Sequence, residues 1–102
     1  KIIRWAEARK IIPNSTPLAQ WKKAQEELNE LHEALGNNDL PAIKDAVGDT
    51  VVCLINLCAL ADIDLVDCLQ LAYNEIKDRK GTLKEDGIFY KELCFSIWTL
   101  WM

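Results

Sequence analysis

Apolar residues recur along this chain at spacings of three and four, the period of helices. Between residues 17 and about 35, Trp21, Ala24, Leu28, Leu31 and Leu35 form one such stripe, the pattern of an amphipathic helix with a single buried face. Its start is written in Ser15-Thr16-Pro17, with Thr16 as N-cap and Pro17 at the first helical position. Gly36-Asn37-Asn38 closes it. The loop is short, so the next helix is expected to return antiparallel, opening at Asp39-Leu40-Pro41 and running to about Ala61. Upstream, residues 1–12 read as a short helix with Ile2, Ile3, Trp5, Ala6 and Ile12 mostly to one side, and Pro13 to Thr16 as a break. Downstream, Asp62-Ile63-Asp64 is a second short loop. Asp64 is placed to cap a further long helix that carries Leu65, Leu69, Ala72, Tyr73 and Ile76 and ends in Lys77, Arg79 and Lys80 before Gly81. Asp86-Gly87 marks a turn and 88–92 a short extended piece. No strand is long or alternating enough to build a sheet, so the expected fold is all-α, an antiparallel helical bundle.

The segment from Val51 to Ala61, VVCLINLCALA, is apolar on every face except at Asn56. A helix of that kind needs cover all round, more than a few short helices supply. The bundle is therefore expected to be completed by oligomerisation, as a homodimer or homotetramer.

Composition narrows the partners. The chain has 102 residues, half of them apolar, and 12 basic against 16 acidic side chains leave a formal charge of −4. That is one small domain with enough apolar content for a core. The acidic balance argues against a nucleic-acid duplex or an anionic membrane as main partner, though not against a small anion that arrives with its own cation. Cysteines stand at 53, 58, 68 and 94 with no CxxC spacing, which reads as reduced thiols of a cytoplasmic protein. The first ten residues hold four basic side chains and do not read as a signal peptide. No apolar run approaches the roughly 20 residues that span a bilayer. With His32 the single histidine, a histidine-based metal site is excluded.

The acids are placed unevenly. At about 100° per residue, Glu27 lies at the edge of the predicted buried stripe, with Glu30 one turn on and Glu26 and Glu33 on the far side. On the following helix Asp45, Asp49 and Asn56 fall within about 40° of one another. ExxE on one antiparallel helix thus faces DxxxD on the other. Four carboxylates at the edge of a core are costly unless something neutralises them. Oxygen ligands alone point to a hard cation, Mg²⁺ with Mn²⁺ as the alternative. The plain reading of the glutamates is a solvated helix face with Lys22 and Lys23 as partners, and Asp45 also suits a helix's first turn. Asp49 resists that reading, because it is mid-helix beside Gly48 and just before the apolar run.

Taken in order, QEELNELHEAL (25–35), IKDAVGDTVVCLINL (43–57), AYNEIKDRKG (72–81) and DGIFYKE (86–92) resemble the MazG-like all-α nucleoside triphosphate pyrophosphohydrolases, especially the short phage and mobile-element type. The resemblance covers most of 17–92. It implies Mg²⁺-dependent hydrolysis of a nucleoside triphosphate between the α and β phosphates, for cleaning or control of the nucleotide pool. It implies that Glu27 and Glu30 match the ExxE metal ligands and that Asp49 matches the aspartate of the family's ExxD motif. Ala46 stands where the family usually has Glu, and Asp45 is the available substitute. Asp45 and Glu26 are both candidates for the base that takes a proton from water. Asn74 and Lys77 match positions that approach the nucleotide in relatives, with Arg79 and Lys80 as further phosphate partners. Trp5 and Trp21 are candidates to stack on a base, although Trp21 falls on the core stripe.

The helical domain so defined is residues 1–93. The apolar tail 94–102, CFSIWTLWM, departs from the family and is expected to pack across an oligomer interface or to carry no catalytic role. Two other readings stand beside the enzyme. One is a non-catalytic helical oligomerisation or regulatory module that kept the fold and lost the chemistry, as the Ala46 departure suggests. The other is a phosphoribosyl-ATP pyrophosphohydrolase of the same superfamily, set second because AYNEIKDRKG resembles the MazG side.

Overall fold

The computed structural model describes residues 1–92. The tail 94–102, with Cys94, lies outside the described residues. Five helices and one small hairpin follow in order: α1 (Ile2–Ala8), α2 (Ile11–Asn14), α3 (Pro17–Gly36), α4 (Leu40–Leu60), α5 (Leu65–Ile76), β1 (Gly81–Leu83) and β2 (Phe89–Lys91). The fold is all-α. The chain forms two compact units, Lys1–Cys68 and Leu69 onward, so the division falls inside α5.

The first unit is built on the α3–α4 hairpin. The Thr16 side chain accepts from the Ala19 amide at 3.1 Å, with Pro17 in the first turn. Asp39 does the same for α4 from the Ala42 amide at 3.2 Å. Each cap stabilises its helix by about 0.5–2 kcal/mol. Between them the chain reverses through Asn38, whose φ of 52° lies in the left-handed region that asparagine tolerates better than most residues. A connection this short sends α4 back along α3.

Two expectations are corrected here. The first helix does not run to residue 12: it stops at Ala8, Lys10 turns left-handed at φ 63°, and Pro13 sits inside the short helix α2. Proline is tolerated there because the first-turn amides of a helix have no intrahelical partner. The buried face of α3 matches the expected stripe only in part: Ala24 is buried and Leu31 half-buried, while Trp21, Leu28 and Leu35 stay open. Those three are 53%, 45% and 54% exposed, whereas Ala24, Glu27 and Ala34 are buried. Small residues are buried on α4 as well, at Ala46 and Cys53, and α3 packs on α4. Val51 and Leu54 of α4 remain more than 40% exposed in one copy of the chain. The first helix also packs on α4, through the wholly buried Ala6.

In α5 the Asp64 carboxylate accepts from the Val66 amide at 2.8 Å, as the capping pattern predicts. The helix ends at Ile76, so Lys77, Arg79 and Lys80 follow it rather than close it, and Gly81 opens a strand. A Cβ at Gly81 would collide with the Tyr90 carbonyl and the Phe89 ring, which explains the glycine. The hairpin pairs Gly81 with Lys91, Thr82 with Tyr90 and Leu83 with Phe89. This is a small sheet where only one extended piece was expected. Gly87, at φ 80°, makes its turn.

Candidate active site

Glu27 stands eleven residues before Asn38 and Asp49 eleven after it. In an antiparallel hairpin that symmetry sets them opposite each other, and four residues further out Lys23 meets Cys53 in the same way. Glu27 is only 6% exposed. One of its oxygens, Oε1, lies 3.5 Å from the Lys23 ammonium. The other, Oε2, is buried with no hydrogen-bond donor. Lys23 divides its charge, since Glu26 holds it at 3.2 Å. Glu30, exposed, is near enough to share a proton with Glu27, but once ionised it has none to donate.

The electrostatics follow from that geometry. Burial pushes the Glu27 carboxyl above its ordinary value, the neighbouring Glu30 pushes it further, and Lys23 pulls it back only in part. Asp49, half-buried, is raised as well, first by burial, then by Asp45 one turn away and by Glu27 across the hairpin. The Cys53 thiol is raised by burial and by the Glu27 charge, so it stays protonated and serves as a small core residue. Asn56 is 2% exposed and its Oδ1 also lacks a partner.

The structure therefore brings Glu27, Glu30, Asp49 and Asp45 into one electrostatic neighbourhood. Ala46, where a family glutamate is expected, is buried. Among the described residues no three acidic, histidine or cysteine side chains converge as a finished metal cage. The donor set still suits Mg²⁺, which is commonly bound by one or two carboxylates and completes its shell with waters and substrate phosphates. A buried carboxylate oxygen without a donor is what such a cation would satisfy, and its charge would reverse the upward shifts at Glu27 and Asp49.

Asn74, Lys77, Arg79 and Lys80 are exposed and belong to the second unit. The Asn74 Oδ1 accepts from Gln70 at 3.0 Å. Sequence reasoning treated Lys23 as a surface partner only. Its spacing of four from Glu27 was the available sign that it also reaches the buried carboxylate.

Three comparisons bear on this geometry. The family model described as phosphoribosyl-ATP pyrophosphohydrolase matches residues 10–78, a stretch that contains all four acids together with Asn74 and Lys77 but not Arg79 or Lys80. An uncharacterized 18.2 kDa protein in the rep-hol intergenic region of Haemophilus phage HP1 (strain HP1c1) is 38% identical over 65 residues. The match covers 64% of this chain and 40% of the relative, so the chain spans about two fifths of the curated protein it matches. No solved structure matches.

Proposed function

Since the chain belongs to the phosphoribosyl-ATP pyrophosphohydrolase family, a MazG-like all-α family, we propose that it hydrolyses nucleoside triphosphates to the monophosphate and pyrophosphate with the help of Mg²⁺. The observation that carries this reading is the buried, donorless Oε2 of Glu27 opposite Asp49. A structural helix pair gains nothing from two carboxylates of raised pKa at its centre. A cation-dependent phosphoryl enzyme needs them.

Glu27 and Asp49 would hold the cation, with Glu30 and Asp45 at its margin; Mn²⁺ would fit the same oxygens. When bound, the cation neutralises charge on the phosphates and acidifies a bound water. The remaining steps belong to the protein. Asp45, from the cation's margin, and Glu26, on release from Lys23, are the two candidates to take a proton from water; both are exposed. Lys23 limits the repulsion among the acids before substrate arrives. For Asn74, Lys77, Arg79 and Lys80 the family resemblance alone supports a role toward the phosphates and the departing pyrophosphate. The exposed apolar residues Trp21, Leu28, Leu35, Val51 and Leu54 support self-association into the homodimer or homotetramer expected from the sequence.

The family name favours a second substrate. Phosphoribosyl-ATP carries the same α–β bond, so the two differ in what the base end must accommodate and not in the chemistry. The test is to incubate the protein with ribo- and deoxynucleoside triphosphates and with phosphoribosyl-ATP, with and without Mg²⁺, assaying pyrophosphate, orthophosphate and the nucleotide product. Mg²⁺-dependent pyrophosphate with the matching monophosphate is expected. Orthophosphate with the diphosphate would refute the bond assignment. No product from any nucleotide, in a helical sample, would leave the non-catalytic module as the better account.

A further inference from the structure

The first helix leaves a cavity against α4 that meets the carboxylate site only at Asp49. It has a volume of about 360 Å³ and is lined by Lys1, Ile2, Trp5, Asp49 and Val52. That is at the small end of the roughly 300–1,000 Å³ typical of ligand sites. Ile2, Trp5 and Val52 make its apolar wall, and Asp49 is the one acid on its lining. Trp5 is 47% exposed although it sits on a helix anchored by the wholly buried Ala6. Half an indole is thus held open on a fixed backbone, next to a residue of the proposed catalytic site.

We propose that this cavity binds the nucleobase of the nucleotide, stacked on the indole of Trp5 and backed by Ile2 and Val52, with Asp49 marking the phosphate end. The inference rests on the nucleotide reading above and adds to it a base site and its selectivity. The cavity is divided by polarity in the way a nucleotide is: a flat, weakly polar base suits the aliphatic and aromatic wall, and a triphosphate is repelled by Asp49 unless a cation intervenes. The wall offers a π-face and methyl groups; the polar groups on the lining are the charges of Lys1 and Asp49, suited to the phosphate end, with no side-chain amide or hydroxyl to read a base edge. Stacking of that kind accepts every base, because every base has a π-face. The site therefore selects for the presence of a base rather than for its identity.

The test combines kinetics with binding that needs no turnover. Hydrolysis of dATP, dCTP, dGTP and dTTP is measured for the wild type and for Trp5→Ala, Trp5→Leu and Trp5→Phe, with helicity checked by circular dichroism. In parallel, saturation-transfer NMR is recorded in EDTA with the four deoxynucleosides, which carry no phosphate for Asp49 to repel. The wild type is expected to treat the four bases within about tenfold of one another in kcat/KM. Trp5→Ala and Trp5→Leu should raise KM about tenfold with a much smaller change in kcat, while Trp5→Phe keeps most of the affinity. Saturation of the base protons should vanish in Trp5→Ala. An unchanged KM with undiminished base saturation in that variant overturns the proposal and leaves the enzyme reading intact. So does a Leu variant that binds as well as the Phe variant, since stacking then contributes nothing. If the wild type hydrolyses no nucleotide, the enzyme reading fails and the NMR alone decides: Trp5-dependent base saturation upholds the base site, and its absence overturns it.

Discussion

Two carboxylates in this molecule live in opposite circumstances. Asp86, in the hairpin, is exposed and fully partnered: one oxygen accepts from the Ile88 amide at 2.9 Å and the other from the Tyr90 hydroxyl at 2.7 Å. Those donors lower its pKa, the Tyr90 hydroxyl most, and raise that of Tyr90. Glu27, between α3 and α4, is buried, shares one lysine with Glu26, and has an oxygen with no donor. Its pKa is raised. The hairpin acid stabilises local structure and needs nothing further. The acid between the helices costs stability, a cost that the proposed cation would offset. The contrast separates structural from functional acids better than their positions in the sequence do.

The largest expected effect breaks the functional side of the contrast. Glu27→Gln or Asp49→Asn should lower nucleotide hydrolysis by about 10³-fold while far-UV circular dichroism stays helical. Metal-free Glu27→Gln should melt higher than the wild type at pH 8, because an amide of the same shape removes a buried charge. Loss of helicity in either variant would make these acids structural.

The next effect is the pH dependence. Glu27 and Asp49 have raised folded pKa values, so the stability they contribute is full below the ordinary carboxylate range and is lost as pH rises through the raised values. Asp86 works in reverse: its contribution is present above the ordinary range and is lost as pH falls through its lowered value. Thermal melts should therefore show a larger Mg²⁺-induced rise in Tm at pH 8 than at pH 5, and Glu27→Gln should abolish that difference. An equal Mg²⁺ effect at both pH values would contradict the link between cation and buried acid.

Smaller effects sharpen the comparison. Asp86→Ala should speed amide exchange at Ile88 and in β1 and β2 while leaving the α3–α4 amides unchanged. Slowed or unaltered exchange in the hairpin would remove its structural role. Gly48→Ala should stabilise the protein by about 0.5–1 kcal/mol, since the residue is helical and a Cβ there meets nothing within 4 Å. If the variant is more stable but inactive, the open space over Gly48 is used by substrate or by a second copy of the chain. If it is less stable as well, the helix at Gly48 is not the unstrained one described.

Much of the helical frame is legible in the sequence because its signals are local. Thr16-Pro17, Asp39-Leu40-Pro41 and Asp64 each name a cap that the structure contains. The broken first helix is less legible, since a left-handed Lys10 has no local signature as a glycine would. The buried face of α3 is misread in part, for a different reason. Periodicity puts Trp21, Leu28 and Leu35 on one stripe with Ala24, whereas of these four only the small Ala24 is buried, joined by Ala34 from outside the stripe. The site is legible as a set of acids at helical spacing. Which of them is buried is not, because burial of Glu27 depends on how close α4 comes. Trp5 is legible as a stacking candidate, but the cavity beside it is not, because that needs the α1–α4 packing that sets Trp5 beside Asp49 and Val52.

The most direct test is a ¹³C NMR titration of the side-chain carboxyls of Glu27, Asp49 and Asp86 in one sample, with and without Mg²⁺. Without the cation, Glu27 and Asp49 should titrate above their ordinary values and Asp86 below its own. With Mg²⁺ the first two should move down while Asp86 stays where it is. If Glu27 titrates like a surface glutamate and ignores Mg²⁺, it is not a cation ligand and the proposed site is wrong.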